Sequence, residues 1–211
     1  MRNMDLMDAA RLVENSYDGG ADLPSIRLVI NEGHVQAFLL TDNTLVIPGS
    51  NELVDYSKTN LVTGKQKISW DKMGKAAGNA IWHRGFAGYA ATIANTLSSV
   101  RPTYIIGHSL GAAAAQILGC IYGVPAIGFA SPMPRRGKSR LKHEGLVLNV
   151  VRNDDIVCRM PPKQFGFRRV GNTEVMHPAS PNAGEDHSMT HYINLMETER
   201  REGKIVKSWP H

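Results

Sequence analysis

From Leu110 to Ala130 the only clearly polar side chains are Gln116 and Tyr122. A run of about 20 apolar residues is long enough to cross a bilayer as one helix. Gly123-Val124-Pro125 interrupts it, and a helix ending there is too short to span. The run therefore predicts a buried helix over Leu110–Ile121 and a buried strand over Val124–Phe129, with no transmembrane segment. Thr103–Ile106 before it and Leu146–Val151 after it read as further strands. Their apolar residues do not alternate with polar ones, the pattern of strands covered on both faces in parallel α/β sheets.

The remaining elements fit around that centre. Leu6, Ala9, Ala10 and Val13 fall at i, i+3, i+4 and i+7, an amphipathic helix. Ile26–Ile30, Val35–Leu40 and Thr44–Ile47 are β-like runs separated by the turn-forming Asn31-Glu32-Gly33 and Thr41-Asp42-Asn43, which predicts an antiparallel meander. Residues 50–80, rich in Lys, Asn and Gly with weak periodicity, read as a long, partly irregular excursion. Phe86–Leu97 reads as a helix, residues 161–185 as loop, and Met189, Tyr192, Ile193 and Met196 mark a last helix. The expectation is a mixed, mostly parallel sheet with helices on both faces.

With 211 residues and no repeat or linker, residues 1–211 read as one domain, large enough to bury about 70% of its unfolded surface without disulfides or metal. Its two cysteines, Cys120 and Cys158, have no zinc-ligand spacing. Arg2, Asp5, Asp8 and Arg11 interrupt the apolar core that a Sec-type signal peptide would need. The expected location is cytoplasmic by default, with export by another route as the alternative.

Gly107-His108-Ser109-Leu110-Gly111 is a G-x-S-x-G pentapeptide fed by a strand and continued by an Ala-rich helix, the context in which a serine becomes an exposed nucleophile. The helix start aims free N–H groups, Leu110's among them, at the place where an oxyanion would form. A catalytic acid is expected after a later strand and a histidine after the acid. Asp154 and Asp155 both follow Leu146–Val151, and spacing does not choose between them. Of eight histidines, His177, His187 and His191 lie in the expected order. His187 is favoured because it sits where loop meets helix, free to approach the serine from outside the sheet.

Together these segments resemble the class 3 lipase family, the α/β-hydrolase group that includes the fungal lipases, over about residues 25–195. Tyr104–Ala113 is similar to the family's elbow, His83-Arg84-Gly85-Phe86 to its H-x-G-F, and Phe129-Ala130-Ser131-Pro132 to its F-G-S-P. Asn153–Pro162 is similar to D-x-V-P-x-L-P-P, and Asp186-His187-Ser188-Met189 to the start of D-H-x-x-Y. The resemblance implies Asp155 as the acid and His187 as the base. It also implies Ser50, after Val46-Ile47-Pro48-Gly49, as the second oxyanion donor beside Leu110, and a lid near Asp55-Tyr56 and Asn60-Leu61 where one exists. Pro48 stands where the family has Arg, and Cys158 where it has Pro.

The implied activity is that of a serine carboxylic-ester hydrolase, a lipase or phospholipase acting through an acyl-enzyme on acylglycerol-type esters, with no cofactor and no metal. A lidless esterase or thioesterase on small soluble esters, or a non-catalytic binding module, are the alternatives. The net charge of +5 has two local sources, Lys65, Lys67, Lys72 and Lys75, and Arg135, Arg136, Lys138, Arg140 and Lys142. They carry an expectation of transient contact with an anionic lipid surface. Nucleic acid is not an expected partner, because these runs lack interleaved aromatics.

Overall fold

The structure, a computed structural model, describes residues 2–49, 65–67, 80–181 and 187–210. In chain order the strands are β1 (Met4–Asp5), β2 (Ile26–Glu32), β3 (Val35–Leu40), β4 (Thr44–Ile47), β5 (Lys65–Lys67), β6 (Ile81–His83), β7 (Tyr104–His108), β8 (Ala126–Phe129), β9 (Arg135–Arg136), β10 (Val147–Arg152), β11 (Phe167–Arg168), β12 (Asn172–Met176) and β13 (Ser208–Trp209). The α-helices are α1 (Leu6–Glu14), α2 (Arg84–Leu97), α3 (Leu110–Tyr122) and α4 (Met189–Arg201).

Among the described residues the main sheet has seven strands in the order β12-β10-β8-β7-β4-β3-β2. Strands β4, β7, β8, β10 and β12 are parallel, while β2, β3 and β4 form the antiparallel meander the turns predict. The two faces sort by residue parity, since successive side chains of a strand point oppositely. Leu45, Ile47, Ile105, Ala126 and Val147 join α2 and α3 in one core. Val46, Tyr104, Ile106, Ile127, Phe129, Leu148 and Val150 join α1 and α4 in the other. Apolar residues occupy both parities because both faces are covered, and each fully buried large aliphatic contributes about 1.5–3 kcal/mol.

The apolar block is α3 followed by β8, and among the described residues no helix is long and apolar enough to cross a membrane. Its interruption is a helix cap. Gly123 takes the left-handed conformation (φ +66°) and returns its N–H to the Gly119 carbonyl at 2.9 Å. On the opposite face, Asp5 caps α1 by accepting from the Met7 N–H at 2.9 Å, while the Arg200 fork grips the same carboxylate with two 2.8 Å bonds, tying α1 to α4.

Two expectations need correction. Residues 161–185 are not all loop: Asn172–Met176 is the edge strand β12, parallel to β10. With only Met176 of its five residues buried, it carries no apolar pattern to be recognised by. The basic stretch at 135–142, which reads from the sequence as a basic loop, is not uniformly solvated either. Arg135 and Arg136 form β9 in a smaller sheet ordered β11-β9-β6-β5, and Arg135 is buried beside the Trp82 ring. Lys138 and Arg140 remain exposed. Lys72 and Lys75, with most of the 50–80 excursion, lie outside the described residues.

Candidate active site

Strand β7 delivers Ser109 to the N-terminus of α3 through a turn that only small neighbours allow. A Cβ on Gly107 would sit 2.3 Å from the Gly111 carbonyl oxygen, and one on Gly111 would sit 2.2 Å from that of Ile47. Ser109 itself holds φ +60°, ψ −119°, a backbone conformation that costs of order 1–3 kcal/mol for a residue with a side chain. The surroundings hold it there. Its N–H donates to the Phe129 carbonyl at 2.9 Å, and its carbonyl accepts from Ala112 and Ala113 at 3.1 and 3.2 Å.

Strained in this way, Ser109 Oγ lies 2.6 Å from His187 Nε2. His187 Nδ1 lies 2.9 Å from Asp155 Oδ2, so the serine hydroxyl donates to Nε2 while Nδ1–H donates to the carboxylate. The remaining lone pairs of Asp155 are also used. The Val157 N–H donates to Oδ1 and the Tyr192 hydroxyl donates to Oδ2, each at 2.9 Å. Burial pushes the Asp155 carboxyl upward, but these donors outweigh it and hold the group below its ordinary range, ionised and acceptor-only.

The adjacent carboxylate goes elsewhere. Asp154 forms a two-point pair with the Arg152 guanidinium at 3.1 Å and 3.1 Å, both side chains being buried. His177 meets the Asn153 amide at 2.9 Å, and His191 lies on the exposed side of α4. Cys158 Sγ lies 3.3 Å from the Tyr192 hydroxyl, and burial pushes its thiol up to about 12. It is neutral packing material there, not a nucleophile.

Sequence reasoning missed two tyrosines. Tyr192 accepts the Arg152 N–H at 3.1 Å while donating to Asp155, so it fixes the carboxylate against the end of β10. Tyr17, just beyond α1, bridges two parts of the site. Its hydroxyl accepts the Gly49 N–H at 2.9 Å and donates to His108 Nδ1, while His108 Nε2–H donates to the His187 carbonyl at 2.8 Å. Burial, with the neighbouring His187, pulls His108 down to about 3, so it stays neutral. That matters because the two imidazole rings stand only 4.8 Å apart, and a charged His108 would oppose any proton taken up by His187.

Of the two expected oxyanion donors, Leu110 opens α3, where N–H groups have no partner within the helix. Ser50 lies outside the described residues. Gly49 before it passes directly over the serine, since a Cβ there would fall 2.8 Å from Ser109 Cβ.

Among solved structures the chain is similar to the triacylglyceride lipase of Rhizomucor miehei, at 15% identity over 83% of this chain and 82% of that one, TM-score 0.60. It is similar to the Lip2 lipase of Yarrowia lipolytica, at 14% identity over 93% and 94%, TM-score 0.58. A third neighbour is a triacylglycerol lipase whose catalytic centre is formed by a serine protease triad, at 17% identity over 83% and 82%, TM-score 0.55. No family model matches the chain, and no curated protein matches it in sequence.

Proposed function

The chain has the α/β-hydrolase fold of the fungal lipases, and we propose that it is a serine carboxylic-ester hydrolase acting on acylglycerol-type esters. The observation that carries the proposal is the unbroken chain from Ser109 Oγ through His187 to a buried, ionised Asp155. The proposed reaction has two halves. Ser109 Oγ attacks the ester carbonyl carbon as His187 Nε2 takes its proton. The negative charge that develops on the carbonyl oxygen is met by the Leu110 N–H and, in this reading, by Ser50. Collapse expels the alcohol, which leaves with the proton from His187, and Ser109 carries the acyl group. Water, deprotonated by the same imidazole, then releases the acid. Asp155 keeps the proton on Nδ1 and stabilises the imidazolium.

The test uses chromogenic esters of short and long acyl chain, with a fluorophosphonate to trap the nucleophile. Hydrolysis is expected, together with a phosphonyl adduct that peptide mapping locates on Ser109. Hydrolysis by a protein that carries no adduct at Ser109 would overturn the mechanism. Turnover of long-chain esters that rises above their solubility limit supports the lipase reading, whereas turnover confined to short soluble chains assigns a lidless esterase.

Tyr17 acts in this reading as a positioning residue, because it ties the backbone beside Ser50 to the loop that carries His187. Tyr17→Phe keeps the ring and removes the bridge, stranding the Gly49 N–H and His108 Nδ1. The expected result is a loss of about 1–3 kcal/mol of stability, the cost of unsatisfied buried polar groups. An approximately tenfold fall in kcat with little change in KM should accompany it, less than the loss of an oxyanion donor itself. Equal activity of Tyr17→Phe and the parent at a temperature where both are folded would remove Tyr17 from the mechanism.

A further inference from the structure

Behind the loop that carries Asp155 lies a separate cleft of about 430 Å³. Its walls come from the end of β10 (Val151 to Asn153), the segment from Cys158 to Gln164, and Arg169 and Val175. Among the described residues four cations line it, Arg152, Arg159, Lys163 and Arg169, and no carboxylate does. Arg152 is already neutralised by Asp154. The other three are not: among the described residues no carboxylate lies within ion-pair distance of Arg159, Lys163 or Arg169.

Arg169 is the most telling of them. Its guanidinium is spent only on neutral carbonyls, those of Ser131 at 2.7 Å and of Cys158. Burial pulls the group below its ordinary range, against the opposing pull of Cys158, Tyr192 and the Asp155 charge. A half-buried guanidinium that holds no carboxylate in direct contact keeps a flat fork of donors that matches a carboxylate or phosphate. Of the large apolar side chains left exposed among the described residues, Val175 lines the cleft at 46% exposure, while Ile156 at 61% and Phe165 at 57% stand next in sequence to its walls and outside its lining. A cleft lined both by these cations and by the apolar Met133, Val151, Pro162 and Val175 fits one kind of molecule.

We propose that this cleft binds an amphiphile with an oxyanion head, a carboxylate or phosphate on an apolar chain. The head lies among Arg159, Lys163 and Arg169, and the chain lies along Val175. None of these three cations hydrogen-bonds to Ser109, His187 or Asp155, so the site is separate from the proposed reaction centre, although the Asp155 charge acts on Arg169.

The experiment titrates the full chain calorimetrically with decanoate, decyl phosphate, inorganic phosphate and octyl glucoside. It compares the parent with Arg159→Glu/Lys163→Glu, two exposed changes away from the proposed catalytic residues. The expected result is saturable binding of decanoate or decyl phosphate that weakens at least tenfold in the double variant, while octyl glucoside is unaffected; the tighter of the two anions identifies the head group. Equal binding by both proteins, or no saturable binding of either amphiphile, overturns the proposal. Inorganic phosphate binding as tightly as decyl phosphate overturns the role of the apolar chain. Charge-dependent binding to phosphatidylglycerol vesicles without binding of either monomeric amphiphile overturns it in favour of surface docking.

Discussion

Ser109→Ala is expected to lower ester turnover by a factor on the order of 10^6, the loss seen when the nucleophile of a Ser–His–Asp unit is removed. The substitution takes away one oxygen, and the backbone contacts that hold φ +60° remain, since Phe129, Ala112 and Ala113 bond to the Ser109 main chain. Thermal stability should therefore stay close to that of the parent, so that the kinetic loss is chemical and not structural. His187→Ala should cost about as much, and the double variant little more than either single one, because the two groups act as one proton-transfer unit. Losses that multiply in the double variant would mean that Ser109 and His187 act independently, and the proposed mechanism would fall.

The elbow was legible because chemistry and folding ask for the same residues there. Gly107 and Gly111 are demanded by backbone approach, and the apolar flanks by burial on both sheet faces. The alternation of strands and helices was legible for the second reason alone. Strand β12 was not, because an edge strand with a single buried residue is held by main-chain bonds that side chains do not advertise. The excursion at 50–80 hid the strand β5 because its periodicity is weak and the strand is only three residues long. Tyr17 shows a different limit. It lies ninety-one positions from His108, its local sequence is an unremarkable polar turn, and only the packing of α1 against the sheet brings its hydroxyl to the site. Asp154 and Asp155 show a third: neighbouring carboxylates on one loop have the same composition and spacing, and differ only in the direction in which the backbone turns them.

That difference in direction should separate cleanly in experiment. Asp155→Asn is expected to lower kcat by about 10^4 while leaving the fold intact. An amide at this position can donate to His187 Nδ1, which would leave the proton on Nε2, where it cannot accept from Ser109. The pH dependence of stability should change as well. In the folded protein the Asp155 carboxyl is held below its ordinary range, so its contribution to stability is present above the unfolded value of about 3.9 and lost as pH falls through the folded value. The stability gap between the parent and Asp155→Asn should therefore be largest near neutrality and close in acid. Asp154→Asn is expected to do the reverse. It removes the carboxylate paired with the Arg152 guanidinium at a site where the two side chains are only 5% and 4% exposed, a loss of about 3 kcal/mol by the precedent of broken buried pairs. Its kcat, measured below its unfolding transition, should stay within about threefold of the parent, because Asp154 makes no bond to His187 while Asp155 does. If Asp154→Asn in folded protein proves as slow as Asp155→Asn, the carboxylate that orients His187 has been misassigned.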